Sequence, residues 1–287
     1  MSSSRVWLVT GSSSGFGQAM VEFALKKGDK AVATLRKPEE LADLQAQYGP
    51  TQLLILKLDV TQPKEIISVF AQAKNAFGRI DVVFNNAGFA AAGELEGTPD
   101  DIARKLFETN FFGATNVTRE AVRFFREENA PGAGGRLITT SSFVGIKPIA
   151  VGGYYSASKH ALEAATQAIA GEIDPDWNIK ITLIEPGRFR TSTAQKGTAA
   201  PPLPAYSKPT TPAAQVWKSF EAAGDPNFKI GDVNRAVAKI YGISELSQPP
   251  LRIILGMDAI GFVRSQLELL QKDVDASETW SQNLRED

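Results

Sequence analysis

The sequence predicts a doubly wound α/β fold on a seven-stranded parallel sheet, and three observations lead there. Seven short runs of β-branched and aliphatic residues recur along the chain. Most are continuous rather than alternating, as in strands buried on both faces of a parallel sheet. Segments with helical spacing lie between them, and that alternation builds a sheet with crossover helices. The 287 residues, 43% hydrophobic and 22% charged, suffice for one large core, since roughly three quarters of the surface can be buried at this length.

The elements follow in order. Val6–Thr10 is the first strand and opens into a glycine-rich loop, after which Ala19–Lys27 reads as helix. Ala31–Leu35 is the second strand, and Pro38 suits the first position of a helix running to Tyr48. Leu53–Leu58 is the third strand, followed by a helix over Lys64–Phe77. Ile80–Asn85 is the fourth, followed by a long helical stretch, Asp100–Glu128. Arg136–Ser141, Ile179–Ile184 and Leu251–Leu255 complete the set, with a helix through Tyr155–Ile173 between the fifth and sixth. Two regions break the rhythm. Five prolines between Gly197 and Pro212 preclude a regular helix or central strand. Met257–Asp287 forms a tail with a helix expected at Ala259–Lys272 and a frayed end. The expected organisation is one domain over 1–287, with a lid at about 189–229 and a helical tail at about 257–287.

Lys plus Arg is 31 against 32 Asp plus Glu, a net charge of -1. No overall field draws the chain to nucleic acid or to an anionic membrane. Cysteine is absent and His160 is the one histidine, which excludes disulfides, thiolate metal sites and cysteine nucleophiles. The apolar run after Arg5 is too short for a signal peptide, and no stretch reaches the 18 apolar residues of a membrane span. A cytoplasmic protein is expected, with neither nucleic acid nor membrane as partner.

The loop Thr10-Gly11-Ser12-Ser13-Ser14-Gly15-Phe16-Gly17 joins a strand to a helix. Glycines permit positive φ and close approach of backbone to a ligand. The helix start offers free N–H groups and partial positive charge to a pyrophosphate. This Thr-Gly-x-x-x-Gly-x-Gly pattern resembles the cofactor loop of the short-chain dehydrogenase/reductase family. Asp59-Val60, Asn85-Asn86-Ala87-Gly88, Tyr155-Ser-Ala-Ser-Lys159 and Pro186-Gly187 match further motifs of that family in order. The resemblance covers about Arg5 to Thr191 and, less specifically, the last strand. It implies a Rossmann-type sheet of order 3-2-1-4-5-6-7 and a cofactor touched by Gly11, Ser12, Ser14, Gly15, Phe16 and Gly17. It also implies an adenine contact at Asp59 beside Val60, and a turn at Asn86, Ala87 and Gly88 that braces the fourth strand. Pro186 and Gly187 would border the cofactor, and Thr191 would bind the nicotinamide carboxamide.

A site for NAD needs an acidic residue at the end of the second strand, and one for NADP needs a cation. Here the strand ends in Arg36-Lys37, with no acid before Pro38. Glu39 and Glu40 read as residues of a helix start. Arg36 offers a planar fork to a phosphate, and Ser12 can add a hydroxyl. NADPH/NADP+ is the expected cofactor.

Reducing a ketone takes a hydride from the cofactor and a proton for the developing alkoxide. Free tyrosine is too weak an acid, but a nearby ammonium lowers its pKa. Tyr155 and Lys159 lie four apart and share a helix face, whereas Tyr154 has uncharged Ser158 at that offset. Tyr155 is therefore the expected proton donor. Of Ser141 and Ser142 only one can point at the site, because neighbouring strand residues face opposite ways; the resemblance selects Ser142. It also implies that Asn110 holds a water linking the lysine to solvent. His160 reads as structural.

The expected reaction is NADPH-dependent reduction of a ketone or aldehyde. The alternatives are alcohol oxidation in the reverse direction, or a cofactor-binding sensor or scaffold without turnover. The forty-residue insert after Pro186-Gly187 must pass over the ligand crevice. Phe89, Phe143, Ile149, Val151, Phe189 and Trp217 are the candidate substrate wall, which points to a bulky, largely apolar carbonyl compound. A homodimer or homotetramer through the helices around Asp100–Glu128 and Tyr155–Ile173 is common in the family.

Overall fold

The structure, a computed structural model, describes residues 4–191, 198–223, 225 and 229–285. Seven parallel strands form the sheet: β1 (Val6–Thr10), β2 (Lys30–Leu35), β3 (Leu53–Lys57), β4 (Val82–Asn85), β5 (Gly135–Thr140), β6 (Ile179–Pro186) and β7 (Arg252–Leu255). Their spatial order is β3-β2-β1-β4-β5-β6-β7, the order the sequence resemblance implies. Registers such as Trp7 opposite Ala31 and Leu183 opposite Arg252 align the carboxyl ends along one rim.

The continuous apolar runs are explained by two faces. Trp7 and Val9 point into a core shared with α1 (Gly15–Lys26), whereas Val6 and Leu8 point to the opposite face. The second core is closed by α3 (Pro63–Phe77), with Ile66, Val69 and Phe70 inward. The segment expected as one helix over Pro38–Tyr48 is a 3-10 turn, Pro38–Leu41, followed by the short α2 (Ala42–Gln47). The stretch Asp100–Glu128 is helical throughout but not uniform. Between α4 (Asp100–Phe107) and α5 (Ala114–Glu127) lies one π-helical turn, Glu108–Gly113. A π turn costs backbone hydrogen bonding and is found mostly at functional sites.

After β5 come α6 (Gly153–Glu172), and later α7 (Pro212–Ala223), α8 (Val233–Ser244) and α9 (Met257–Ser277). α8 packs beside α1, with Val237 and Ile240 in the first core. α9 is longer than the expected Ala259–Lys272. Its start closes a third cluster of Phe143, Val144, Ala259 and Val263. In the proline-rich insert, Pro204–Tyr206 is a 3-10 turn and α7 begins at Pro212. The prolines thus precede the helix rather than interrupt it. Residues 192–197, 224 and 226–228 of the expected lid lie outside the described residues. Among the described residues no helix is long and apolar enough to cross a membrane.

Candidate active site

The carboxyl ends of β1, β4 and β5 are stapled by three polar side chains. Thr10 Oγ1 accepts from the backbone N–H groups of Asn86 and Ala87, both at 2.9 Å. Asn86 Nδ2 donates to the Thr10 carbonyl at 3.1 Å, and Thr140 Oγ1 donates to Asn86 Oδ1 at 3.2 Å. The glycine loop leaves β1 with Gly11 at φ 69° and Gly15 at φ 56°. A side chain at Gly17 would place its Cβ 2.2 Å from the Gly11 carbonyl oxygen, so the loop folds tightly against α1. Ser14 is the N-cap of α1 and makes no side-chain cap bond. The first-turn N–H groups are left to an external acceptor such as a phosphate. Thr191 lies over Gly15, its Cβ 3.3 Å from the point a Gly15 Cβ would occupy. An open cavity of about 300 Å³ runs along Ser14, Gly15, Gln18, Thr191 and Asn234. None of its lining residues is Asn110, Ser142, Tyr155 or Lys159, so it belongs to the glycine-loop end of the rim.

One loop assignment is corrected. Ser12 is fully buried, and its hydroxyl donates to the Val9 carbonyl at 3.0 Å and accepts from Thr34 N at 3.2 Å. Its own N–H donates to the Thr34 carbonyl. A hydroxyl between two buried strands has to be satisfied there, so Ser12 joins β1 to β2 and offers nothing to a phosphate. Phe16 is buried, with its ring edge-on to Phe189 at 5.2 Å. Arg36 stands exposed just beyond β2. Asp59 Oδ1 accepts from Thr61 N at 3.0 Å and Thr61 Oγ1 at 2.7 Å, a local turn that orients the carboxylate. Val60 is buried against Gly113 of the π turn, where a Cβ would lie 2.8 Å from it.

Across β4 from the glycine loop, α6 carries Tyr155 and Lys159 one turn apart. Lys159 is buried, and Nζ donates to the Thr140 carbonyl at 2.9 Å. Burial pulls its ammonium down to about 8, with the Glu163 charge opposing. Tyr155 is pushed up by burial and drawn partly back by the Ser142 hydroxyl. The Lys159 Nζ is turned to Thr140. Ser142 lies past the end of β5 and meets Tyr155. Ser141 Oγ faces the other way, 2.8 Å from the point where a Gly145 Cβ would sit, beside Glu163 Cγ at 3.0 Å.

Asn110 sits in the π turn, fully buried. Its Nδ2 donates to the Phe89 carbonyl at 2.9 Å and to Ser158 Oγ at 3.2 Å, and Oδ1 accepts from Phe89 N at 3.0 Å. These bonds brace the loop after β4 against α6. Gly88 lies over this corner: a Cβ there would be 3.0 Å from Asn110 Oδ1 and 3.7 Å from Lys159 Nζ. Pro186 ends β6, and Gly187 N donates to the Leu255 carbonyl. The Asp258 carboxylate of α9 packs on Gly187 and accepts from Arg188 N at 2.8 Å.

The expected substrate wall divides. Phe143 is 7% exposed and stacks on Phe262 of α9 at 4.9 Å. It is core beneath the site, and Ile149 packs partly buried against the same cluster. Phe189 fills the space between Phe16 and Gly231, near the glycine loop. Both corrections have one cause: a large ring is placed by its nearest apolar neighbours, here Phe262 and Phe16, and those come from distant segments. Phe89 is half-buried beside Asn110. Val151 is buried at φ 64°, a strained conformation for a β-branched residue. Trp217 Nε1 donates to Glu94 Oε1 at 2.7 Å.

Glu94 is a residue the sequence reading missed. It is buried and also accepts from Leu203 N at 3.3 Å. Burial raises its pKa, but the Trp217 indole and the Leu203 amide outweigh that and hold it below the ordinary value. Ala91–Ala92 pairs with Thr198–Ala199 alongside it. The insert after β6 is thereby fastened to the loop after β4. An isolated glutamate in Gly93-Glu94-Leu95-Glu96 carries no sequence signal of this.

Three comparisons bear on the chain. The family profile described as short chain dehydrogenase matches residues 5–201. An uncharacterised oxidoreductase of Schizosaccharomyces pombe is 34% identical over 281 residues, 98% of this chain and 91% of the relative. A 3-ketodihydrosphingosine reductase of Bacteroides thetaiotaomicron is 34% identical over 187 residues, 65% of each chain. Among solved structures, a short-chain dehydrogenase from Streptomyces avermitilis superposes with a TM-score of 0.87 at 34% identity, covering 99% of this chain and 100% of that one.

Proposed function

The chain belongs to the short-chain dehydrogenase/reductase family, and on that premise we propose that it reduces a ketone or aldehyde with NADPH. The observation that carries this reading is the corner formed by Ser142, Tyr155 and Lys159. It sits at the carboxyl rim, beside a glycine loop whose helix start has no side-chain cap. The glycine loop would hold the pyrophosphate, and Thr191, which lies over Gly15, would serve the nicotinamide carboxamide. When bound, the cofactor supplies the hydride. The Ser142 and Tyr155 hydroxyls hold the carbonyl oxygen. Tyr155 gives its proton to the alkoxide as charge develops, and the nearby ammonium of Lys159 stabilises the resulting phenolate.

NADPH rather than NADH is supported by Arg36 at the open end of β2 and by the absence of a carboxylate before Pro38. A bulky apolar substrate is supported by Phe89, Val151 and the insert with Trp217. The Bacteroides relative is also, by name, a reductase of a keto compound. The test is NADPH oxidation against ketones of graded size. Turnover that rises from a small to a polycyclic ketone supports the reading, and no turnover of any carbonyl compound overturns it.

A further inference from the structure

The face of α6 that carries Tyr155 and Lys159 continues, after four more residues, to Glu163. Residues so spaced are neighbours on the helix surface. Glu163 is 3% exposed and points at the sheet, where Glu185 of β6 is fully buried. Arg252 of β7 reaches both. Its Nη2 is 3.2 Å from Glu163 Oε2, and its Nε is 3.0 Å from Glu185 Oε1. Ser141 of β5 borders the same pocket, with Oγ buried and unpaired, as are Glu163 Oε1 and Glu185 Oε2. The register explains the cluster. Leu183 pairs with both Thr139 and Arg252, so Ser141, Glu185 and Arg252 project to one face of the sheet. None of these side chains has a part in the proposed reaction.

One guanidinium neutralises one carboxylate. A second carboxylate in the same buried pocket, close to an anion, keeps its proton. We propose that Glu163 and Glu185 share a single proton beneath Arg252, and that Glu163, as the ionised member, is a positioning residue that keeps Lys159 in its ammonium form. The protonated member is Glu185. It is held well above the usual carboxylate range by burial and by the Glu163 charge, with Arg252 opposing. Lys159 is the group that needs support, because burial alone drives an ammonium toward the neutral amine. Two groups near it from other elements are uncharged: the Thr140 carbonyl of β5 and, across Gly88, the Asn110 amide of the π turn. Glu163 is the acidic side chain one turn further along the same helix face, and its charge favours the ammonium.

The importance of Lys159 rests on the proposed reductase reading, so the experiment has an arm independent of turnover. The titration of Lys159 is followed by NMR in protein with ¹³C-labelled lysine, alongside the pH profile of kcat/KM. Glu163→Gln is expected to weaken proton binding by Lys159 roughly tenfold, one pH unit. The alkaline limb of the rate profile should move by the same amount. Glu163→Asp keeps the charge and should restore most of it. Glu185→Gln resembles the protonated acid and should leave the Lys159 titration in place. An infrared carbonyl band of a protonated carboxylic acid, present in the unmutated protein at neutral pH and absent from Glu185→Gln, reports the shared proton even if Glu163→Gln does not fold. The proposal is overturned by an unmoved Lys159 titration in Glu163→Gln, by an equal shift in Glu185→Gln, or by absence of the band. If no carbonyl compound is reduced while the titration and the band behave as stated, the reductase reading fails and the proton-sharing pair stands.

Discussion

Lys159 Nζ donates a 2.9 Å hydrogen bond to the carbonyl oxygen of Thr140, so one side chain ties α6 to the carboxyl end of β5 beside Tyr155. The ammonium is a brace, and in the proposed reaction it is also the charge that stabilises the Tyr155 phenolate. Lys159→Ala is therefore expected to lower the melting temperature as well as turnover. It leaves a buried carbonyl without its donor, at a cost of about 1–3 kcal/mol.

Tyr155→Phe separates chemistry from binding. The ring stays, packed beside Ile149 and Phe143, and only the proton donor is lost. Cofactor affinity measured by fluorescence should be unchanged. The rate of reduction should fall by roughly 10²–10⁴. Ser142→Ala removes the second donor to the carbonyl oxygen and should cost on the order of 10² in kcat. Near-normal turnover by Tyr155→Phe would falsify the assignment of the acid.

Arg36→Asp tests the cofactor. Arg36 is exposed at the end of β2, and its side chain has no partner among the described residues. A carboxylate there repels a 2′-phosphate and accepts a hydrogen bond from a 2′-hydroxyl. The ratio of kcat/KM for NADPH over NADH should be well above one in the unmutated protein and below one in the variant. Equal efficiency with both cofactors before mutation counts against NADPH.

Phe143→Ala distinguishes a core residue from a substrate wall. Phe143 is stacked on Phe262 and closed off by α9. Truncation should destabilise the protein by about 3–5 kcal/mol, read as a drop in denaturant midpoint. The ranking of small against bulky ketones should stay as it was. A changed ranking at unchanged stability would return Phe143 to the substrate wall.

The sheet was legible because buried parallel strands leave uninterrupted apolar runs, and because the glycine loop and the Tyr155–Lys159 spacing are local patterns. What was not legible depends on distant segments. Arg252 meets Glu185 and Glu163 only once β6 and β7 pair. Phe143 and Phe189 read as free aromatics until Phe262 and Phe16 are brought against them. Ser12 looked like a phosphate ligand because it lies in the glycine loop, yet the adjacent Thr34 backbone claims its hydroxyl. The π turn at Glu108–Gly113 is invisible to a 3.6-residue period, which reads the whole of Asp100–Glu128 as one helix.

The fastening of the insert gives the last prediction. Trp217 of α7 donates to Glu94 Oε1 at 2.7 Å, and Leu203 N donates to the other oxygen. Glu94 is held below its ordinary pKa. A carboxylate lowered in the folded state contributes stability that is fully present above its unfolded pKa. That stability is lost as the pH falls through the folded value. The insert should therefore be held at neutral pH and released in acid, below the ordinary carboxylate range. Limited proteolysis within 198–223 should accelerate over that window in the unmutated protein. Trp217→Phe keeps the ring but removes the donor, at a cost of about 1–3 kcal/mol for the carboxylate left with one partner fewer. It should raise cleavage already at neutral pH and flatten the pH dependence. Binding of NADPH with a bulky ketone product should protect the same residues in both proteins if the insert covers the ligand. Cleavage indifferent to pH, to Trp217 and to ligand alike would remove both the fastening by Glu94 and the role of the insert as a lid.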